Sequence, residues 1–307
     1  MDFKGRDIIN IKDLSRKELD HILSVSEKMI PLSKKGSELC KGKILANLFF
    51  EPSTRTRLSF ETAMARLGGR TIGFADVEST SGKKGEVLGD TIRVVDGYAD
   101  LIVIRHPKEG SAKIAADFAT APVINAGDGG HEHPTQTILD LFTIKKEKGK
   151  IDNMSIGFVG DLKYGRTVHS LANALSKYSG IEITCIAPEA LKMPRHLISS
   201  LKSAGIRVTE KDSIDNIKNL DVIYATRIQK ERFGSEKEYT DVKGSYYIDE
   251  KTMMNAKDDA ILMHPLPRVD EIRYSVDNDK RAVYFRQAHY GLPTRMALIA
   301  LLLGAIK

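Results

Sequence analysis

Residues 44–67 read ILANLFFEPSTRTRLSFETAMARL, and two hydrophobic periods meet inside them. Ile44 to Phe50 is a short apolar run, the length of a strand. Beyond a polar break, Phe60, Ala63, Met64 and Leu67 recur at i, i+3, i+4 and i+7, the apolar face of a helix. A strand passing directly into a helix is the building unit of an α/β fold. Ser53 to Arg57 lie at the junction and crowd three hydroxyls and two guanidiniums together. Ser53 is placed to cap the helix, with Thr54, Arg55 and Thr56 in its first turn. Unpaired backbone N–H groups and the helix dipole favour an anion there. The hydroxyls add donors, and one arginine adds a planar fork suited to phosphate oxygens. A plain capped helix with two solvated arginines is the competing reading of the same five residues.

Working outward, the same alternation repeats. Leu101–Ile104 and Pro122–Asn125 read as strands, with a helical pattern near 111–119 between them and a helix over Pro134–Lys148 after them. A second series opens at Ile156–Val159, followed by a helix with Val168, Leu171, Ala172 and Leu175 on one face. Strand patterns at 181–186, 206–209, 221–224 and 260–263 follow. The sequence therefore predicts an α/β protein of two domains, each a mainly parallel sheet flanked by helices, joined near residues 130–150. In such sheets ligands bind beyond the carboxyl ends of strands, so the loops that follow strands carry the chemistry.

The whole chain narrows the classes. At 307 residues it has room for about two domains. Its 47 basic and 41 acidic residues are spread along the sequence. That is not the clustered basic footprint, interleaved with aromatics, of a nucleic-acid binder. Met296–Leu303 (MALIALLL) is far short of the roughly 20 apolar residues of a membrane helix, so it reads as a buried terminal helix. The first thirty residues lack a hydrophobic signal core. Cys40 and Cys185 are far apart, which fits a reducing, cytoplasmic location rather than a disulfide framework.

Five further loops follow strand patterns. Arg105 opens the segment RHP, and residues 125–136 read NAGDGGHEHPTQ, whose glycines let backbone approach a ligand closely. Arg105, His133 and Gln136 can all donate to a carbonyl oxygen, the requirement of an oxyanion site. His131 and His133 raise the question of a metal, but no carboxylate or cysteine stands at ligand spacing, so none is expected. GDLKYGRTVHSL puts Arg166 at a helix start and lacks the glycine fingerprint of a dinucleotide site. TRIQKERF supplies Arg227, Gln229 and Arg232, and HPLPRVDE two stiffening prolines. The polar loop DVESTSGKKG carries Ser81, Lys83 and Lys84, and reads as a surface loop able to swing inward or reach a neighbouring subunit.

Taken together, EPSTRTRLSFE, TSGKKGE, RHPKEG, NAGDGGHEHPTQT, GDLKYGRTVHSL, TRIQKERF and HPLPRVDE resemble the carbamoyltransferase family over almost the whole chain. The HPLPR loop is similar to the aspartate branch and unlike ornithine enzymes, which carry a cysteine there. TSGKKGE is one residue shorter than the TSLGKKGE form of its loop. The resemblance implies transfer of the carbamoyl group of carbamoyl phosphate to L-aspartate, giving N-carbamoyl-L-aspartate and phosphate, an early step of pyrimidine synthesis. It implies a carbamoyl phosphate-binding domain over residues 1–133, with a C-terminal helix at 286–307 packing back onto it, and an aspartate-binding domain over 134–285. Ser53, Thr54, Arg55 and Thr56 would bind phosphate. Thr56, Arg105 and His133 would hold the carbamoyl oxygen, while Gln136 orients the amide. Arg166, Arg227 and Gln229 would bind the carboxylates of aspartate. In the HPLP loop, the backbone carbonyl of Leu266, beside Pro267, would face the carbamoyl amine and the incoming amino group. Ser81 and Lys84 would be lent by the adjacent subunit, implying a homotrimer with shared sites and no cofactor. Regulatory chains are a further partner the resemblance leaves open.

Overall fold

The computed structural model describes residues 1–76, 85–228, 236, 240 and 246–306. Two compact units emerge, Met1–Phe142 with His289–Lys307, and Thr143–Ala288. Of the residues singled out in the sequence, Ser81, Lys83, Lys84, Gln229 and Arg232 lie outside the described residues.

In the first unit, strands β1 (Ile44–Phe49), β2 (Arg70–Phe74), β3 (Leu101–His106) and β4 (Val123–Asp128) form one sheet in the order β2-β1-β3-β4. Every pairing is parallel. Helices α1 (Arg16–Lys35), α2 (Thr54–Arg66), α3 (Leu88–Asp96) and α4 (Ser111–Phe118) accompany it. Ala46, Leu48, Ile102 and Ile104 pack on one face against Ile92 of α3 and Ala112 and Ala115 of α4. The stripe read on α2 is buried as expected, with Phe60, Ala63, Met64 and Leu67 shielded from solvent. Three elements fall outside the sequence reading: β2, α1 and α3. Strand β2 is exposed along most of its length, so no hydrophobic period marks it. Helix α1 does carry a signal, a capping box between Ser15 and Glu18.

The chain passes between units within α5 (Pro134–Lys148). The domain boundary expected at 133/134 stands at the start of this helix, whereas the division into units falls inside it, between Phe142 and Thr143.

In the second unit, β5 (Ser155–Val159), β6 (Glu182–Ile186), β7 (Arg207–Lys211), β8 (Val222–Ala225) and β9 (Ile261–Met263) pair in the order β7-β6-β5-β8-β9. These pairings are parallel too. The accompanying helices are α6 (Arg166–Leu175), α7 (Arg195–Ser203) and α8 (Glu250–Met254). Val159, Ile223, Ala225 and Leu262 centre one core, joined by Leu220, Met253 and Tyr284. The last helix, α9 (Tyr284–Leu302), begins in this unit and from His289 onward belongs to the first. Its run Met296–Leu302 is wholly buried, as its composition predicts. Among the described residues no helix is long and apolar enough to cross a membrane.

Strand order locates the functional edge of each sheet. The direction of winding reverses at β1/β3 in the first unit and at β5/β8 in the second. Ligands of open α/β sheets gather at such switch points, beyond the carboxyl ends of the strands. EPSTRTR follows β1, RHP follows β3, GDLKYGR follows β5 and TRIQKERF follows β8.

At the second switch point Gly160 has φ 112, and a Cβ added there would lie 2.4 Å from the Thr226 carbonyl oxygen. The bare backbone lets the two loops run side by side. Gly160 N–H donates to the Ile186 carbonyl at 3.1 Å, and Asp161 N–H to Thr226 Oγ1 at 3.1 Å. Gly160→Ala combines strained φ with overpacking, and is expected to cost about 2–4 kcal/mol of stability. Urea unfolding of the wild-type and variant chains checks this. Equal midpoints would mean the loops can separate freely.

Candidate functional site

The first-unit site is built at one end of β1, β3 and β4. Phe49 pairs with Arg105, and His106 pairs with Asp128. Phe50 N–H donates to the Arg105 carbonyl at 2.8 Å. The three loops leaving this edge are therefore neighbours by construction.

Ser53 stands at the N-cap of α2 with φ −157, yet its hydroxyl makes no capping hydrogen bond. The expected cap is a position without the bond, and the hydroxyl remains available to a ligand. Thr54 and Arg55 occupy the first turn and are exposed, while Thr56 is buried. No acidic residue lies in that turn, so nothing there opposes an incoming anion. Arg57, the other guanidinium of the run, is held one turn along the helix by Glu61 at 3.0 Å. The two arginines are thus separated in position: Arg55 stands in the first turn of α2, and Arg57 is an ordinary i,i+4 partner.

Arg105 is the electrostatic centre of the unit. Its side chain is only 14% exposed, with Nη2 at 2.6 Å from Glu51 Oε1 and Nη1 donating to the Ala126 carbonyl at 3.3 Å. Among the described residues its buried Nε–H has no acceptor. Burial pulls the guanidinium below its ordinary pKa, and the Glu51 carboxylate works against that shift. A desolvated cation with an unused donor favours the arrival of an anion. Neighbouring His106 accepts through Nδ1 from the Lys108 backbone at 3.0 Å and lies 2.9 Å from Ser111 Oγ, which fixes the turn after β3.

The glycine-rich loop after β4 is gathered by Asp128. Its carboxylate accepts from the Asn125 amide at 3.0 Å, the Gly110 N–H at 2.9 Å and the Glu132 N–H at 3.2 Å. His131 Nδ1 lies 3.4 Å from the same group. His133 and Gln136 are thereby delivered, both buried, to the start of α5, whose first residue is Pro134. No group of side chains suited to a metal ion occurs among the described residues.

The second unit offers a different electrostatic pattern. Arg166 opens α6, so its charge adds to the positive end of that helix. Tyr164 N–H donates to Asp161 Oδ1 at 2.9 Å, and His169 Nε2 meets the Leu162 carbonyl at 2.8 Å, which shape the preceding loop. Arg227 follows β8 across the Thr226 contact and is half-buried. Two half-buried arginines on adjacent loops suit a ligand with two carboxylates.

After β9, the His264 N–H donates to Gln287 Oε1 at 2.8 Å, and His264 Nδ1 accepts from the Leu266 N–H at 2.8 Å. The opposite ring nitrogen meets Glu271 Oε1 at 2.7 Å. Leu266 has φ 52, and its bond to Pro267 is cis. Arg268 then grips Asp277 with both terminal nitrogens and donates to the Tyr284 hydroxyl at 2.9 Å. The loop is thus pinned on both sides of Leu266.

Of the residues expected to form the site, Ser53, Thr54, Arg55, Thr56, Arg105, His133 and Gln136 all lie at one end of the first sheet. Arg166 and Arg227 both follow strands of the second switch point, and Leu266 and Pro267 follow β9. The acceptors Glu51 and Asp128 are the residues that sequence reasoning passes over. Their signal is an acid inside an otherwise cationic or glycine-rich loop that follows a strand.

Residues 6–146 match a family model described as aspartate/ornithine carbamoyltransferase, carbamoyl-P binding domain. Residues 152–302 match the Asp/Orn binding domain of the same family. A curated relative from Thermococcus kodakarensis, named aspartate carbamoyltransferase catalytic subunit, is 57% identical and covers 100% of this chain and 99% of its own length. Its namesake from Clostridium kluyveri is 52% identical over 98% of this chain and 99% of its own. Among solved structures, the catalytic subunit of M. jannaschii aspartate transcarbamoylase superposes with a TM-score of 0.92 at 52% identity, covering 97% and 98% of the two chains. Trypanosoma cruzi aspartate transcarbamoylase, in complex with carbamoyl phosphate and aspartate, gives 0.93 at 39% identity over 98% of each.

Proposed function

This chain belongs to the aspartate/ornithine carbamoyltransferase family, and from that premise we propose that it is an aspartate carbamoyltransferase catalytic chain. It transfers the carbamoyl group of carbamoyl phosphate to the amino group of L-aspartate, giving N-carbamoyl-L-aspartate and phosphate, for pyrimidine synthesis. The observation that carries the first half is Arg105, a buried guanidinium with an unused donor beside the open N-terminus of α2.

In this reading the first unit holds the phosphate on Ser53, Thr54, Arg55 and Thr56. Thr56, Arg105 and His133 donate to the carbamoyl oxygen. The aspartate amine attacks the carbonyl carbon, charge develops on that oxygen, and the donors stabilise it where it forms. The C–O bond to phosphate then breaks, and the departing phosphate takes up the proton that the amine loses. Arg166, Arg227 and Gln229 take the aspartate carboxylates, and the Leu266 carbonyl accepts from the reacting nitrogens. Holding both reactants in register accounts for most of the acceleration, up to about 7–11 kcal/mol in favourable systems. The working unit is a cytoplasmic homotrimer in which Ser81 and Lys84 serve the neighbouring subunit's site.

The amine is the point of choice within the family. Two guanidiniums at the second switch point repel a cationic side chain and favour a dicarboxylate. Purified protein with carbamoyl phosphate is therefore expected to carbamoylate L-aspartate with a kcat/KM at least about a thousandfold above that for L-ornithine, an unpaired charge in such a site being worth several kcal/mol. Faster turnover of ornithine would move the chain to the other branch. No turnover of either, in a folded oligomer, would make it a binding subunit.

A further inference from the structure

Gln136 and Asp140 sit one turn apart on α5, and Gln136 Nε2 donates to Asp140 Oδ1 at 2.8 Å. Both are buried, Asp140 completely. An ionised carboxylate only accepts. The Gln136 amide must therefore turn its NH2 to Asp140, which leaves its oxygen as the outward end. A protonated or amidated residue at position 140 could donate instead and would permit the opposite orientation.

Asp140 is cut off from solvent, and one cation that interacts with it stands on α9. Arg295 is itself 4% exposed. Its guanidinium lies 5.1 Å from the Phe60 ring centroid. It also packs over Gly291, where a Cβ would come within 2.4 Å of Nη1. Burial lowers the Arg295 pKa to about 10, and the Asp140 charge is the opposing influence. The Asp140 charge thus offsets part of the burial cost of Arg295.

We propose that Asp140 is a positioning residue that locks the Gln136 amide with its oxygen outward, as an acceptor for the N–H groups of the carbamoyl moiety. The inference rests on the carbamoyl phosphate reading of this unit and adds a selectivity to it. An acyl phosphate with a methyl group in place of the amide has nothing to donate to that oxygen. Without the lock, the amide turns over, and its NH2 faces the carbamoyl NH2, donor against donor.

The test uses the full-length protein, with dissociation constants for carbamoyl phosphate, acetyl phosphate and inorganic phosphate measured for wild type, Asp140→Asn and Gln136→Ala. Asp140→Asn is expected to weaken carbamoyl phosphate about tenfold, the worth of one hydrogen bond to a buried site, and to leave inorganic phosphate within about twofold. The preference for carbamoyl over acetyl phosphate should fall by the same factor, and Asp140→Asn should add nothing in the Gln136→Ala background. Because Asp140→Asn takes away the charge that opposes Arg295, the double variant Asp140→Asn with Arg295→Met removes both buried charges and is measured beside it. Unchanged carbamoyl phosphate affinity in whichever variant still binds phosphate overturns the assignment. So does an equal loss for all three ligands, which would mark Asp140 as a stabilising residue only. A wild type that binds phosphate but not carbamoyl phosphate overturns the functional reading first, and this assignment with it.

Discussion

Arg105→Ala is expected to lower kcat by about two to three orders of magnitude, the usual cost of one oxyanion donor. The KM for carbamoyl phosphate should rise by about tenfold or more, since a buried charged hydrogen bond is worth about 1.5–3 kcal/mol. The structure makes the loss larger than a missing donor alone. Glu51, 2.6 Å from Nη2 in the intact protein, would remain beside the phosphate cradle without that cation. It would repel the ligand that the arginine was holding. Arg105→Ala with Glu51→Gln removes that repulsion and should recover part of the KM effect while leaving kcat low. Arg105→Lys keeps the charge but lacks the fork that reaches Ala126 and Glu51 together, so it should resemble the alanine variant in kcat. Steady-state kinetics with carbamoyl phosphate varied at saturating aspartate decide the matter. A kcat for Arg105→Ala within about twofold of wild type would remove the residue from the charge-stabilising set.

The donors of this site are legible in the sequence because they follow buried parallel strands. Leu101–Ile104 and Ile156–Val159 are continuous apolar runs, since both faces of such sheets are covered. The polar residue that ends each run therefore marks a functional edge. The helix starts are equally plain, because Pro134 and Arg166 stand at the first positions of α5 and α6. What escapes is of two kinds. Strand β2 is made by backbone pairing to β1 on an exposed edge, with Gly73 at φ 144 pressed against Asn47. Its side chains bury little, so they carry no period. The acceptors Glu51, Asp128 and Asp140 escape because a search for an anion site looks for donors. Yet each donor needs an acceptor behind it to set its direction, and those partners lie across loops or one helical turn away. The capping role of Ser53 shows the converse. Its position agrees with expectation, but the bond that usually accompanies that position is not made, and sequence alone does not distinguish a hydroxyl that caps from one left for a ligand.

The most decisive result concerns activity that no single mutant possesses. Arg55 is exposed on the first turn of α2, and in the proposed trimer it shares a site with Lys84 from the adjacent subunit. Arg55→Ala and Lys84→Ala proteins are each expected to be nearly inactive, because every site in either homotrimer lacks one cation needed to hold a dianion. Mixed and reassembled at equal proportions, about three quarters of the trimers are hybrids, and closed threefold symmetry gives each hybrid one intact interface in three. About one quarter of the wild-type sites should therefore return. The same fraction distinguishes the geometry of sharing. If Lys84 served its own chain, each subunit would carry its defect into every trimer, and mixing would restore nothing despite confirmed exchange. A recovery close to one quarter also requires that the rebuilt site work at its full rate beside two dead neighbours, so the measured fraction reports on independence of the sites as well as on which subunit completes them.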